Sequence, residues 1–151
     1  MTTQTEGERI LAERWPDAAD LRREFSYMGN SLRGFFDVNS VVDDANEPKF
    51  NVYENGKVVS RTLVQSLTRK DPTVGVILPG EYHFGTGNNT ETLTVLDGQL
   101  EACVSKGFYS LLRRDGTIVA PAGTTLNLRV DTSRPCFYIC RYEPKTEEVG
   151  R

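Results

Sequence analysis

The feature that most narrows the possible fold is a succession of short β-rich runs that recur at close intervals without helices between them. From about residue 50 onward, the runs at 57–66, 73–84, 92–105, 108–113, 117–120, 124–131 and 135–142 are rich in Val, Ile, Leu, Thr, Phe and Tyr. Asn55-Gly56, Asp97-Gly98, Asp115-Gly116 and Ala122-Gly123 divide or border them. Two of these dividers are the Asp-Gly pairs favoured in tight hairpins. The pattern predicts an antiparallel sandwich or barrel, and a jelly roll suits the spacing best.

The first fifty residues have a different period. From Asp17 onward, Leu21, Phe25, Met28 and Leu32 fall on one helical face, with Arg22, Arg23 and Glu24 elsewhere on the cylinder. Pro16-Asp17, with Asp20 three residues later, supplies a start for this amphipathic helix, and Gly29-Asn30 or Gly34 would end it. The Thr5 to Glu8 spacing suits a capping box opening a shorter helix before it. A polar break at 43–48 separates the arm from the β-rich region. The expected organisation is a helical arm at 1–49, a barrel at 50–143 and a polar tail at 144–151. The arm's apolar stripe reads as a packing face against the barrel or a second copy, because its polar face is not lysine-rich as a membrane-surface helix would be.

A chain of 151 residues is long enough to bury a core without covalent staples. Its formal net charge of −3 argues against a nucleic-acid binder, which needs a basic surface to displace counterions from phosphates. The three cysteines, Cys103, Cys136 and Cys140, form no CxxC pair; two lie four apart in one run, too far for a disulfide, so all three read as reduced core residues. No apolar run is long enough to span a bilayer, and the polar, acidic N-terminus lacks the features of a secretory signal. A cytoplasmic location is expected.

One stretch carries more information than its pattern. Gly75-Val-Ile-Leu-Pro-Gly-Glu-Tyr-His-Phe-Gly-Thr86 is followed by Glu91-Thr-Leu-Thr-Val-Leu-Asp-Gly98. It resembles the Gly-Glu-Tyr-x-Phe-x-Thr signature of the pyrimidine/purine nucleoside phosphorylase family at Gly80, Glu81, Tyr82, Phe84 and Thr86. The family's following Glu and Val-x-x-Gly-x-Leu match Glu91, Val95, Gly98 and Leu100. Pro121 and Leu128 match its Pro-x-x-Ser-x-Phe-x-Leu segment, with Thr124 and Leu126 in place of the serine and phenylalanine. Tyr138-Ile-Cys-Arg-Tyr142 resembles its last strand. The resemblance covers about residues 50–143. It departs in the arm, which the usual short members lack, and at Val119-Ala120, where asparagine-valine is common.

The resemblance implies an all-β fold, a single cupin jelly-roll barrel, here with an N-terminal α-helical arm. It also implies phosphorolysis: inorganic phosphate attacks C1′ of a purine or pyrimidine nucleoside, giving free base and ribose 1-phosphate. The implied partners are nucleosides and phosphate, with phosphate as co-substrate and no cofactor; a homodimer is expected because open β-barrels of this size commonly hide an edge or apolar face by pairing. Metal-dependent cupins gather several histidines with a glutamate, whereas this chain has one histidine, His83, and carries Leu126 where the second motif would place another. Glu81, His83 and Glu91 make a poor ligand set, and no metal is expected.

Phosphorolysis needs a donor patch for phosphate, a polar wall for the positive charge developing on ribose, and a proton donor for the leaving base. Arg141 and Arg129 are the candidates for phosphate because guanidinium forms paired hydrogen bonds to its oxygens, with Thr86 as a hydroxyl donor. Arg141 shares its strand face with Phe137 and Ile139, whereas Arg129 shares its face with Asn127 and Asp131, which reads as an exterior. Glu81 could face the sugar and His83 could donate to the base. Tyr82 could stack on the base, and Glu91 and Asn127 are further substrate-binding candidates. A competing reading is a non-catalytic cupin that binds a sugar or nucleotide, or serves as an oligomerisation module.

Overall fold

The computed structural model describes residues 4–26, 41–42, 50–65 and 71–144. Expectations about Met28, Leu32, Gly29-Asn30, Gly34, the break at 43–48 and the tail beyond 144 lie outside the described residues. Two helices, α1 (Glu6–Arg14) and α2 (Ala18–Ser26), precede the strands. Thr5 and Glu8 form the expected reciprocal capping box on α1, and the Asp17 carboxylate accepts from the Asp20 amide at 3.0 Å to open α2.

The strands are β1 (Val41–Val42), β2 (Phe50–Tyr53), β3 (Val58–Thr62), β4 (Val64–Gln65), β5 (Thr73–Ile77), β6 (Gly80–Gly85), β7 (Asn89–Asp97), β8 (Leu100–Val104), β9 (Ser110–Leu112), β10 (Thr117–Ala120), β11 (Thr125–Val130) and β12 (Cys136–Pro144). A six-stranded sheet has the order β10-β7-β12-β5-β3-β2, a four-stranded sheet the order β6-β11-β8-β9, and β1 pairs with β4. Pairing is antiparallel throughout. This is the expected two-sheet jelly roll with a helical arm.

The turns behave differently from their sequence reading in one respect. Asn55-Gly56 closes a hairpin, with β2 pairing to β3 from Tyr53 and Val58. Neither Asp-Gly pair does. Asp97-Gly98 joins β7 in one sheet to β8 in the other, and Asp115-Gly116 joins β9 to β10 likewise. The run at 73–84 also divides at Leu78-Pro79, passing from the six-stranded sheet to the four-stranded one. An Asp-Gly pair supplies positive φ, as at Gly98 (87°) and Asp115 (71°). A corner between sheets needs that conformation as much as a hairpin does, so local turn chemistry does not specify which sheet the chain enters next.

Two apolar clusters result. One fills the space between the sheets, with Val95, Ala102, Leu126, Leu128 and Tyr138 among its members. The other lies on the opposite face of the six-stranded sheet, where Val59, Val74, Val76, Leu96, Phe137 and Ile139 meet Leu11, Trp15 and Leu21 of the helical arm. Trp15 packs edge-on against Phe137 with ring centroids 5.6 Å apart. Burying each such side chain contributes about 1.5–3 kcal/mol, so the arm is held chiefly by apolar packing.

Polar contacts fix where the arm sits. Arg61 on β3 is buried and donates to the Trp15 carbonyl at 3.2 Å, satisfying an acceptor at the end of α1. Arg14 pairs with Glu24 of α2 and with Asp97 of β7, the latter at 3.0 Å, and the Trp15 indole donates to Glu24. Among the described residues, no helix is long and apolar enough to cross a membrane.

The arm and the barrel also approach closely at a glycine of α1. A Cβ placed on Gly7 of α1 would stand 2.4 Å from the Gly56 carbonyl oxygen and 2.6 Å from Val59 Cγ2. Gly7→Ala is therefore expected to lower stability by about 1–3 kcal/mol through overpacking, although alanine is the better helix former by about 1 kcal/mol. Urea denaturation checks this, and a raised midpoint would show that α1 can shift to accept the methyl group.

Candidate functional site

Residues of β12 alternate between the two sides of their sheet. Phe137 and Ile139 face the arm, while Tyr138, Cys140 and Tyr142 face the space between the sheets. There they line a pocket of about 230 Å³, together with Val58 and Ser60 of β3 and Glu91 and Leu93 of β7. The facing sheet contributes Phe84, Gly85, Leu126 and Leu128, and Tyr53 of β2 completes the lining. Tyr53 is 48% exposed and meets Phe84 edge-on at 6.0 Å, which places this aromatic pair at the rim. The size suits a small molecule rather than a macromolecule.

The floor depends on a glycine. Tyr138, Gly75 and Ser60 are register neighbours across β12, β5 and β3. A Cβ on Gly75 would lie 2.6 Å from both Cζ and Oη of Tyr138, so the phenol ring lies across the sheet only because residue 75 has no side chain. Ser60, next to Gly75 in that register, accepts from Asn51 Nδ2 at 3.2 Å. Nearer the wall, the Tyr142 hydroxyl is 2.9 Å from Thr73 Oγ1. The Cys140 thiol points to Glu91 Oε1 at 3.7 Å.

Burial dominates the electrostatics of these groups. It pushes the Tyr138 and Tyr142 phenols and the Cys140 thiol well above their ordinary values, and the nearby Glu91 carboxylate pushes Cys140 further. The hydroxyls are therefore neutral at pH 7 and able to donate as well as accept. Glu91 is the single acidic residue in the lining, and no Lys or Arg lines the pocket among the described residues.

Of the eight candidates named from the sequence, Glu91 lines this pocket. Tyr82 is buried, but its hydroxyl donates to the carbonyls of Leu78 (2.9 Å) and Pro79 (3.2 Å), holding the turn into β6. Thr86 is likewise committed to backbone. It donates to the carbonyls of Pro121 (2.9 Å) and Thr124 (3.1 Å) and accepts from the Thr124 amide (3.0 Å), joining two loops. Arg141 pairs in register with Thr92 and shares the arm-side face of β12 with Phe137 and Ile139.

The structure brings the other four together elsewhere, on the outer face of the four-stranded sheet. Arg129 lies 2.7 Å from Glu101 and 3.6 Å from Glu81, with its guanidinium 4.2 Å above the Tyr109 ring. Its hydrogen bond holds the Glu101 carboxyl below the usual carboxylate range. His83 Nδ1 is 2.6 Å from Asn127 Oδ1, and Asn127 Nδ2 donates to the Ser105 carbonyl at 2.8 Å. Among the described residues, no three His, Cys, Asp or Glu side chains stand together as a metal-ligand group. Glu91 is separated from Glu81 and His83 because it faces the interior.

Sequence reasoning missed Tyr53, Ser60, Tyr138 and Tyr142 as pocket residues. The alternation of Tyr138, Cys140 and Tyr142 was the usable signal, but the other face of the same run, with Arg141, drew the chemical argument. The three cysteines are free and buried, as their spacing predicted. Burial, reinforced by Asp97, pushes the Cys136 thiol up to about 12. Since the thiolate is the reactive form, Cys136 and Cys140 should resist iodoacetamide in the native protein at about pH 8.5, the ordinary thiol range, and react fully in concentrated guanidinium. Mass mapping of the labelled positions checks this; rapid native labelling of either would contradict the burial argument.

A model of the pyrimidine/purine nucleoside phosphorylase family matches residues 48–142. A pyrimidine/purine nucleoside phosphorylase from Leptospira borgpetersenii serovar Hardjo-bovis is 47% identical over 96 residues, which span 62% of this chain and 88% of that protein. Among solved structures, a protein of unknown function from Acinetobacter sp. ADP1 superposes with a TM-score of 0.59 at 24% identity, covering 64% of this chain and 91% of that one. A cupin domain of an XRE-family transcriptional regulator from Enterobacter cloacae gives 0.52 at 17% identity, covering 60% and 99% respectively. These two likenesses establish the fold alone. With the family match spanning the whole jelly roll, the chain belongs to the pyrimidine/purine nucleoside phosphorylase family, built on a cupin barrel to which a helical arm is added.

Proposed function

We propose that the chain is a metal-independent nucleoside phosphorylase whose substrate occupies the pocket between the two sheets. The observation that carries this reading is the pocket's composition: an aromatic rim, neutral hydroxyls on the floor and wall, and one carboxylate, Glu91. Aromatic faces accept a base of any identity, because every base has a π-face. The hydroxyls of Ser60 and Tyr142 suit a sugar. In the reaction a phosphate oxygen forms a bond to C1′ while the glycosidic C–N bond breaks, its electron pair leaving with the base, which takes up a proton. Positive charge develops on the ribose as that bond stretches, and the Glu91 carboxylate is placed to stabilise it.

One observation favours a second reading. Phosphate is held most strongly by fixed positive charge, and among the described residues no Lys or Arg lines the pocket. A protein that binds an uncharged nucleoside or sugar without turning it over needs none.

The assay that separates these readings measures free base and ribose 1-phosphate from uridine, cytidine, adenosine and guanosine, with and without phosphate and with EDTA present. Phosphate-dependent cleavage that survives EDTA is expected; binding without cleavage would establish the second reading. Glu91→Gln should lower kcat/KM by about 10²–10³-fold, the usual cost of removing one group that stabilises transition-state charge. His83→Ala and Arg129→Ala alter the outer face of the other sheet and should leave turnover close to wild type. The reverse outcome would move the site to that outer face.

A further inference from the structure

We propose that the outer face of the six-stranded sheet is a self-association face that α1 and α2 occupy within one chain, and that a second copy of this chain takes their place when they come away. The proposal does not depend on what the pocket binds. The reason for expecting a pair, an apolar face in need of cover, is met here inside a single chain by the arm.

The arm has the properties of a detachable cover. α1 and α2 have nine residues each, and helices so short are marginal in water without a surface to pack on. Leu11, Trp15 and Leu21 supply that packing against the sheet. The family match begins at residue 48, beyond both helices. A pyrimidine/purine nucleoside phosphorylase from Hahella chejuensis, 33% identical over 93 residues, has 97% of its length within the aligned part, which leaves room for neither helix. The arm is therefore an addition to a barrel that the family also uses without it.

Removing the arm uncovers more than apolar surface. Arg61 on β3 gives up the Trp15 carbonyl, and Asp97 at the end of β7 gives up Arg14. In the sheet order β3 and β7 flank β12 and β5, so a cation and an anion stand on opposite sides of the apolar strip made by Val74, Val76, Phe137 and Ile139. Such a face is self-complementary. A two-fold axis along the strands, between β12 and β5, sets the two strips against each other and brings Arg61 of each copy toward Asp97 of the other. Arg61 is in register with Ile139 through Val74, and Asp97 with Phe137. That offset of two positions is about 7 Å along the strand, a step that an extended arginine side chain spans. Every second copy carries this matching surface, whereas an unrelated partner would have to reproduce it.

Trp15 is the chain's single tryptophan and is buried against the sheet, so its fluorescence reports whether the arm is docked. Cys136 and Cys140 are buried in the barrel, so their protection from iodoacetamide reports whether the barrel is folded. The test compares the wild-type chain with Leu11→Glu by both readouts and by sedimentation equilibrium. Leu11→Glu leaves the sheet unaltered and places a charge that is costly only while α1 is docked. The wild type should keep one mass across the concentration range. Leu11→Glu should shift Trp15 emission to longer wavelength, keep both thiols protected and pass with rising concentration to about twice the wild-type mass, the limit of a closed pair. Adding Asp97→Arg sets arginines against each other and should weaken that pairing at least about tenfold.

An arm that comes away with no change of mass overturns the proposal, and so does open-ended aggregation in place of a twofold limit. A wild-type chain that associates as strongly as the variant also overturns it, as does pairing that Asp97→Arg leaves undiminished. Leu21→Glu repeats the release from α2. Should neither glutamate variant free Trp15, or should both expose the thiols, the arm does not detach from a folded barrel and the proposal fails.

Discussion

The structure depends on the six-stranded sheet being covered on both faces. Residues Val74 to Ile77 of β5 and Cys136 to Cys140 of β12 are buried without interruption, and so are Val58 to Arg61 of β3. One face packs on the four-stranded sheet and the other on α1 and α2. A sheet with one wet face alternates buried and exposed residues, whereas these strands are buried at successive positions because neither face meets water. Without α1 and α2, Val59, Val74, Val76, Leu96, Phe137 and Ile139 would lose the cover that Leu11, Trp15 and Leu21 supply. The arm thus completes the second core of the molecule, which explains why a buried arginine, a backbone contact at Gly7 and an ionic network all converge on its docking.

The same double burial creates the pocket. Since alternate residues of β12 serve opposite faces, Phe137 and Ile139 can secure the arm while Tyr138, Cys140 and Tyr142 line a space between the sheets. The space exists because Gly75 lets the Tyr138 ring lie across the sheet, and because the Ser60 and Tyr142 hydroxyls are hydrogen-bonded to Asn51 and Thr73 instead of being left unsatisfied. Buried hydroxyls without partners would cost about 1–3 kcal/mol each, so these connections are what make a polar floor compatible with an apolar core. Glu91 then introduces one carboxylate into a lining otherwise made of neutral side chains.

Family membership and pocket geometry bear on different parts of the functional argument. The motif that carries the resemblance includes Tyr82 and Thr86, and both are occupied in holding turns and loops through backbone carbonyls. They explain the persistence of a fold more directly than they explain chemistry. Glu81, His83, Asn127 and Arg129 form a connected polar surface on the outside of the four-stranded sheet, with Glu101 and Tyr109 as further members. The interior, by contrast, joins residues from position 53 to position 142 that no single motif contains.

Much of the fold was legible because it is local. Strand periodicity, the Thr5–Glu8 capping box and the Asp17 helix start are settled by neighbours within a few residues, and each appears where the sequence placed it. The corners at Asp97-Gly98 and Asp115-Gly116 were legible as reversals but not as crossings between sheets, because the required φ is the same in both. For the site, the sequence could name Glu91 as a candidate, yet it could not separate it from seven others. By itself the sequence determined an antiparallel jelly roll with an amphipathic arm and a family signature. Only the tertiary structure decided which face of β12 meets the pocket, because two-residue periodicity divides a strand into two faces without saying what will cover either one.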